Sequence, residues 1–99
     1  MRTASQCTDM AQVRDDVNAI DREIVRLLGR RLEYVRCAVR FKPDEESIRR
    51  PDHWERFFAQ RRAWAEQEGY DPEVIEAIYQ RLYEYTVHVQ LDLYRQRKA

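Results

Sequence analysis

Apolar residues recur at Met10, Val13, Val17, Ile20, Ile24 and Leu27 in alternating steps of three and four, and continue through Leu28, Leu32, Val35 and Val39. That spacing keeps one face of an α-helix apolar. Thr8 or Asp9 can cap the start, and Pro43 ends the run because the residue before a proline avoids helical backbone angles. The pattern predicts a first helix over about 9–41. At 1.5 Å per residue, ~32 residues make a rod ~48 Å long, against a radius of gyration of ~13 Å for a compact chain of this size. Such a rod leaves much of its stripe in water unless another chain covers it. The spacing therefore predicts an obligate homodimer.

The stretch KPDEESIRRP, residues 42–51, is polar and charged and has loop character. A second helix is predicted over about 52–67, with Trp54, Phe57, Phe58, Trp64 and Ala65 on or near one face; the aromatic members read as core. Gly69 stands where a helix C-cap is expected. Asp71 followed by Pro72 is an N-cap and first-turn pair, so a third helix starts at 72 and runs to about 96. Its apolar positions are Ile75, Ile78, Leu82, Tyr85, Val89 and Leu93. The expected fold class is all-α, three helices in a single domain over 1–99.

Composition sharpens this. Two glycines and three prolines leave little turn material for a β-sandwich or barrel. Eighteen basic and eighteen acidic residues cancel, which argues against nucleic acid as a partner, and 43% hydrophobic content excludes outright disorder. Sixteen of the eighteen basic residues are arginine, the side chain that grips carboxylates with paired hydrogen bonds; the bias suits an anionic ligand. Cys7 and Cys37 show no metal-ligand spacing, and Cys37, inside the helical pattern, reads as a small buried hydrophobe. His53 and His88 have no companion at metal spacing and read as surface or capping residues. No apolar run approaches the ~20 residues that cross a bilayer, and no signal-peptide core is visible. The expectation is a cytoplasmic protein with no membrane partner, metal or cofactor.

Some polar residues stand where the pattern does not want them. The three-four walk of the first helix steps next onto Arg31, and a guanidinium on an apolar seam needs a neutralising partner. An internal glutamate, a stem that snorkels outward, or a ligand would each serve. Arg14, beside Val13 and Val17, reads on spacing alone as a surface arginine. Lys42, at the helix end, reads as a solvated charge on the helix dipole. Gln90 lies on the shoulder of the third helix's apolar face, where polar residues are usually half exposed. Together these are four long polar side chains, three of them cationic, drawn from the first helix, its end and the third helix. Cations converging between helices can hold a small polycarboxylate. No nucleophile elbow, glycine-rich phosphate loop or facing carboxylate pair is present.

The segments VRDDVNAIDREIVRLLGRRLEYV, AVRFK, RRAWAEQEGYD and VQLDLYRQ are similar to those of the all-helical chorismate mutase family, and within it to the isochorismate pyruvate lyases that make salicylate for siderophores. The most specific stretch is IDREIVRLLGRR, since periodicity alone would not dictate Asp21 or the paired arginines. The resemblance implies an intertwined dimer with two equivalent sites, in which Arg31, Lys42 and Gln90 of one protomer meet Arg14 of the other. It implies that Arg14 and Arg31 hold the substrate's two carboxylates, with the ligand neutralising Arg31. Lys42 would reach the ether oxygen of the enolpyruvyl group and a neighbouring carboxylate, Gln90 would donate near the same oxygen, and the stretch from Lys42 to Pro51 would close as a lid. Mutases of this family usually carry an arginine and then a carboxylate at the start of the second helix. His53 and Trp54 stand there instead, and Arg49 or Arg50 is the alternative source of the missing cation. The departure favours the lyase, with weak mutase activity in the same pocket. A chorismate mutase proper, or a non-catalytic helical dimer serving as a regulatory module, are the alternatives.

Overall fold

In the computed structural model, residues 2–50 and 52–98 are described; Met1, Pro51 and Ala99 lie outside them, and with them the ends of the expected 1–99 domain and the last residue of the expected lid. All regular structure among the described residues is helical: α1 (Met10–Ala38), α2 (Glu45–Arg49), α3 (Trp54–Gln67) and α4 (Pro72–Lys98), with 3₁₀ turns at Ala4–Gln6 and Val39–Phe41. None of these helices is long and apolar enough to cross a membrane. The chain divides after Glu33 into two units.

In the first unit Asp9, of the two expected capping residues, is the cap, and Thr8 serves as a donor. Asp9 Oδ1 accepts from the Gln12 N–H at 2.9 Å, and Gln12 Oε1 accepts from the N–H and the hydroxyl of Thr8 at 2.9 and 3.2 Å. Arg2 donates to both oxygens of Asp16 at 2.9 and 3.1 Å, and the Cys7 thiol donates to the same carboxylate. Within the chain the apolar stripe of α1 lies open. Met10 is 58% exposed, Val13 37%, and Val17, Ile20, Ile24 and Leu27 fall between.

The second unit carries the core. Ile48 of α2 is 2% exposed and packs with Val87 and Leu91 of α4, flanked by Tyr83 and Tyr94. Val39 is buried where the 3₁₀ turn meets α4. The α3–α4 pair is joined by rings: Trp54 on Tyr83 with centroids 3.8 Å apart, and Phe57 against Tyr79 at 6.0 Å. At the turn between these helices Gly69 adopts φ 70°, a left-handed conformation that glycine takes without strain. The Tyr70 N–H then reaches the Ala65 carbonyl and the Gly69 N–H the Glu66 carbonyl, a Schellman closure. Asp71 caps α4 by accepting the Glu73 N–H at 2.9 Å.

Four expectations need correcting. The 42–51 stretch is not loop throughout, because α2 lies within it. Asp44 caps that helix by accepting the Ser47 N–H, while the Ser47 hydroxyl returns to the Asp44 backbone, so a polar run forms a helix around one apolar anchor, Ile48. The face of α4 turned to the rest of the chain is Tyr79, Tyr83, Val87, Gln90, Leu91 and Tyr94, whereas Ile78 and Tyr85 of the expected stripe are exposed. Tyrosines supplied the inward face, their rings packing while the Tyr83 and Tyr94 hydroxyls donate to the Arg49 and Pro43 carbonyls. Cys37 is exposed, because it lies about 200° around the helix from Val35 and Val39, which face inward. Trp64 is likewise exposed, although Trp54, Phe57 and Phe58 do pack together.

Because Ile48 is the buried apolar anchor of α2, Ile48→Ala should cost about 2–5 kcal/mol in urea-denaturation stability. A loss below that range would show that α2 is not held through this contact.

Candidate functional site

Gln90 is the most committed of the four expected site residues. It is 5% exposed, not half exposed, and its Nε2 donates to the Val35 carbonyl of α1 at 2.8 Å. The bond reaches α1 one turn before the helix tightens into the 3₁₀ turn at Val39–Phe41. The amide carries two N–H groups, and this bond uses one. Gln90 sits between the buried Val87 and Leu91, so its position follows from the seating of α4.

Lys42 closes the 3₁₀ turn, its N–H bonding the Val39 carbonyl at 3.1 Å. Its Nζ turns back over α2 and donates to the Ser47 carbonyl at 3.1 Å. Burial, and then the positive charge of Arg50, hold its ammonium below the ordinary lysine range. A more acidic ammonium is the stronger hydrogen-bond donor, which suits a group facing an oxygen that gains charge. Arg14 and Arg31 belong to the first unit, Arg14 exposed and Arg31 half-buried, and the Arg31 guanidinium is not without a partner in the chain.

The entrance to α3 has its own geometry. Arg50, at the end of α2, takes left-handed backbone angles with φ 41°, and its N–H bonds the Glu46 carbonyl. That turn brings its Nη2 to 3.4 Å from His53 Nδ1. A guanidinium only donates, so Nδ1 is the acceptor and the neutral ring carries its proton on Nε2. Burial first, then the charges of Arg50, Arg56, Lys42 and Arg61, hold His53 below the ordinary imidazole range. His53 occupies the N-cap position of α3, yet its side chain caps nothing. Trp54 donates its indole N–H to the Arg49 carbonyl and lays its ring on Tyr83, so it fastens α2 to α3 and α4. His88 is a surface residue, with Nε2 3.5 Å from Asp92.

Sequence reasoning missed the Val35 and Ser47 carbonyls, because a backbone acceptor has no residue signature. It weighed Arg50 only as a substitute cation; its contact with His53 depends on a left-handed turn that an arginine does not advertise. Among the described residues no group of His, Cys, Asp and Glu side chains gathers as a metal site.

An all-helical chain with a cationic turn feeding two helices is the class these features define. Residues 13–91 match the chorismate mutase type II family, and the chain belongs to it. It is also 34% identical to the isochorismate pyruvate lyase of Pseudomonas aeruginosa over 99 residues, which cover 100% of this chain and 98% of that protein.

The state of Lys42 gives a paired expectation. A lysine whose folded-state ammonium is disfavoured weakens the fold at neutral pH, and that penalty fades only as pH rises and the proton leaves. Lys42→Met should therefore leave the thermal midpoint at pH 7 unchanged or higher. A clear fall in the midpoint would show that the Ser47 contact outweighs burial of the charge.

Proposed function

We propose that this chain is an isochorismate pyruvate lyase, converting isochorismate to salicylate and pyruvate, with weak chorismate mutase activity in the same site. The observation that carries the reading is the similarity, over nearly the full length of both chains, to a protein of that name. The start of α3 supports it: the Trp54 indole is spent on the Arg49 carbonyl, and no carboxylate stands at His53–Trp54 to accept from a ring hydroxyl.

The chemistry asks little of side chains as reactants. In isochorismate the ring carbon–ether oxygen bond breaks while the neighbouring ring hydrogen passes to the methylene carbon of the side chain. Pyruvate leaves and the ring becomes aromatic, with atoms balanced and no added reagent. Rate comes from holding the dianion in its reactive fold and stabilising the charge that builds on the ether oxygen. In our reading Lys42 and the second N–H of Gln90 serve that oxygen. Arg31 and Arg14 hold the carboxylates, Arg14 arriving from a second copy that covers the exposed stripe of α1. The 42–51 segment, pinned through Ile48, covers the site and excludes water.

Mixing the protein with isochorismate should produce salicylate fluorescence without any added metal or cofactor. Lys42→Met should lower turnover by about 10²–10³-fold, the usual cost of removing one donor to a developing oxyanion. Absence of salicylate from the unmodified protein overturns the lyase reading. Full activity in Lys42→Met overturns the placement of the site. The same mixture with chorismate, assayed for prephenate, reads the weaker activity.

A further inference from the structure

The segment that precedes α1 is built, not trailing. Its 3₁₀ turn at Ala4–Gln6 closes on itself: Gln6 Oε1 accepts the Thr3 N–H at 2.8 Å, and the Gln6 N–H reaches the Thr3 carbonyl at 3.0 Å. The segment lies back along the start of α1, where Arg2 and Cys7 line a hollow of about 150 Å³ with Val13, Asp16 and Val17.

Its grip falls on one helical turn. The Arg2 guanidinium donates to both oxygens of Asp16 and, at 3.4 Å, to the Gln12 carbonyl. In an α-helix the carbonyl of residue 12 and the N–H of residue 16 share one backbone hydrogen bond, so this side chain brackets a single turn from outside. The Cys7 thiol adds a second donor to Asp16 at 3.4 Å, and Gln12 Oε1 accepts from Thr8. Gln12 and Asp16 are half-buried under these contacts, although no residue of α1 is fully buried within the chain. Helix ends fray where little packs on them, and the clamp opposes fraying at this end.

Arg14 is the midpoint of the clamped turn. It stands about 200° around the helix from Gln12, and Asp16 stands about 200° from it, so Arg14 projects from the side away from the clamp. Met10, Ala11, Val17 and Asn18 are its neighbours three and four residues away, and none is a carboxylate that would compete for its guanidinium. A side chain left to a ligand binds better from a backbone that is already still, because less freedom is lost on binding.

We propose that Arg2 and Asp16 are positioning residues for Arg14: by clamping the 12–16 turn they set how tightly the site takes a substrate carboxylate, with no part in the bond-breaking step. The proposal rests on the reading above, in which Arg14 holds one carboxylate of isochorismate.

Two measurements on the full chain test it. Hydrogen–deuterium exchange over residues 10–18 should run about three- to tenfold faster in Arg2→Gln, the range for losing one hydrogen-bonded clamp at a helix end. In isochorismate turnover, Arg2→Gln and Asp16→Asn should each raise KM about three- to tenfold with kcat within about twofold, the mark of binding lost equally from ground and transition states. Arg2→Lys, which keeps a cation on Asp16, should recover part of the KM. In an Arg14→Ala background Arg2→Gln should add nothing, because the residue it positions is gone. Unchanged exchange in Arg2→Gln overturns the proposal, and so does an unchanged KM in both variants. A KM rise that persists in full in the Arg14→Ala background also overturns it, since the clamp then acts on the structure at large. Absence of salicylate from the unmodified protein overturns the lyase reading and this proposal with it, so the unmodified protein alone tells the two failures apart.

Discussion

The seating of α4 is the constraint on which the second unit depends. Val87 and Leu91 bury Ile48, while Gln90 between them donates to the Val35 carbonyl. Burying Ile48 fixes α2, and α2 presents the Ser47 carbonyl to which Lys42 donates. The ammonium is thus held through a chain of contacts that begins four helical turns from the start of α4. A buried amide at position 90 serves this better than a charge would. It hydrogen-bonds a carbonyl without the desolvation cost of an ion, and still offers a second donor.

A formal charge of zero conceals how the charges are arranged. Arg2, Arg26, Arg62, Arg81 and Arg95 each face a carboxylate on the surface. Lys42 and His53 instead feel cations: Arg50 acts on both, and Arg56 and Arg61 act on His53 as well. Surface pairs of the first kind contribute little to stability. Clustering of the second kind is unfavourable until an anion arrives, and that makes the turn from α2 into α3 the electrostatically distinct part of the molecule.

The long helices were legible because their signals are local. The three-four walk, Asp9, the Asp71–Pro72 pair and Gly69 each act within one turn of the backbone they govern. The inner face of α4 was not legible, because that helix has two apolar faces and periodicity cannot say which one the chain itself covers. The exposed one holds Ile78 and Tyr85; the buried one is built on tyrosines, whose mixed character keeps them out of an apolar count. The α2 helix was hidden because five residues give no periodicity, and only the Asp44–Ser47 exchange and Ile48 betray it. Of the candidate site, Lys42 and Gln90 could be named only through the family resemblance, since spacing alone made them a solvated helix-end charge and a half-exposed amide. Their partners could not, since both are backbone carbonyls, and the Arg50–His53 contact rests on a turn angle. Arg14 looked like a surface residue by spacing, and within one chain it is exposed.

Exposure of the α1 stripe and the chemistry of the site are one physical problem. An elimination without nucleophile or metal depends on electrostatic contacts, which are strong only where water is excluded. The side chains buried in the chain's core are small or few, with Val39, Ile48, Ala65, Val87 and Leu91 making up the fully covered apolar set among the described residues. Such a core can set the positions of Lys42 and Gln90, yet it leaves the faces of α1 and α4 wet. Covering Val17, Ile20 and Ile24 with a second copy would remove water from those faces. It would also bring that copy's α1, and with it Arg14, against the uncovered surface. In the proposed reading, the residue that looks most ordinary in the isolated chain is the one whose role would require a partner. On that reading, burial of the stripe and completion of the cationic site would be a single event.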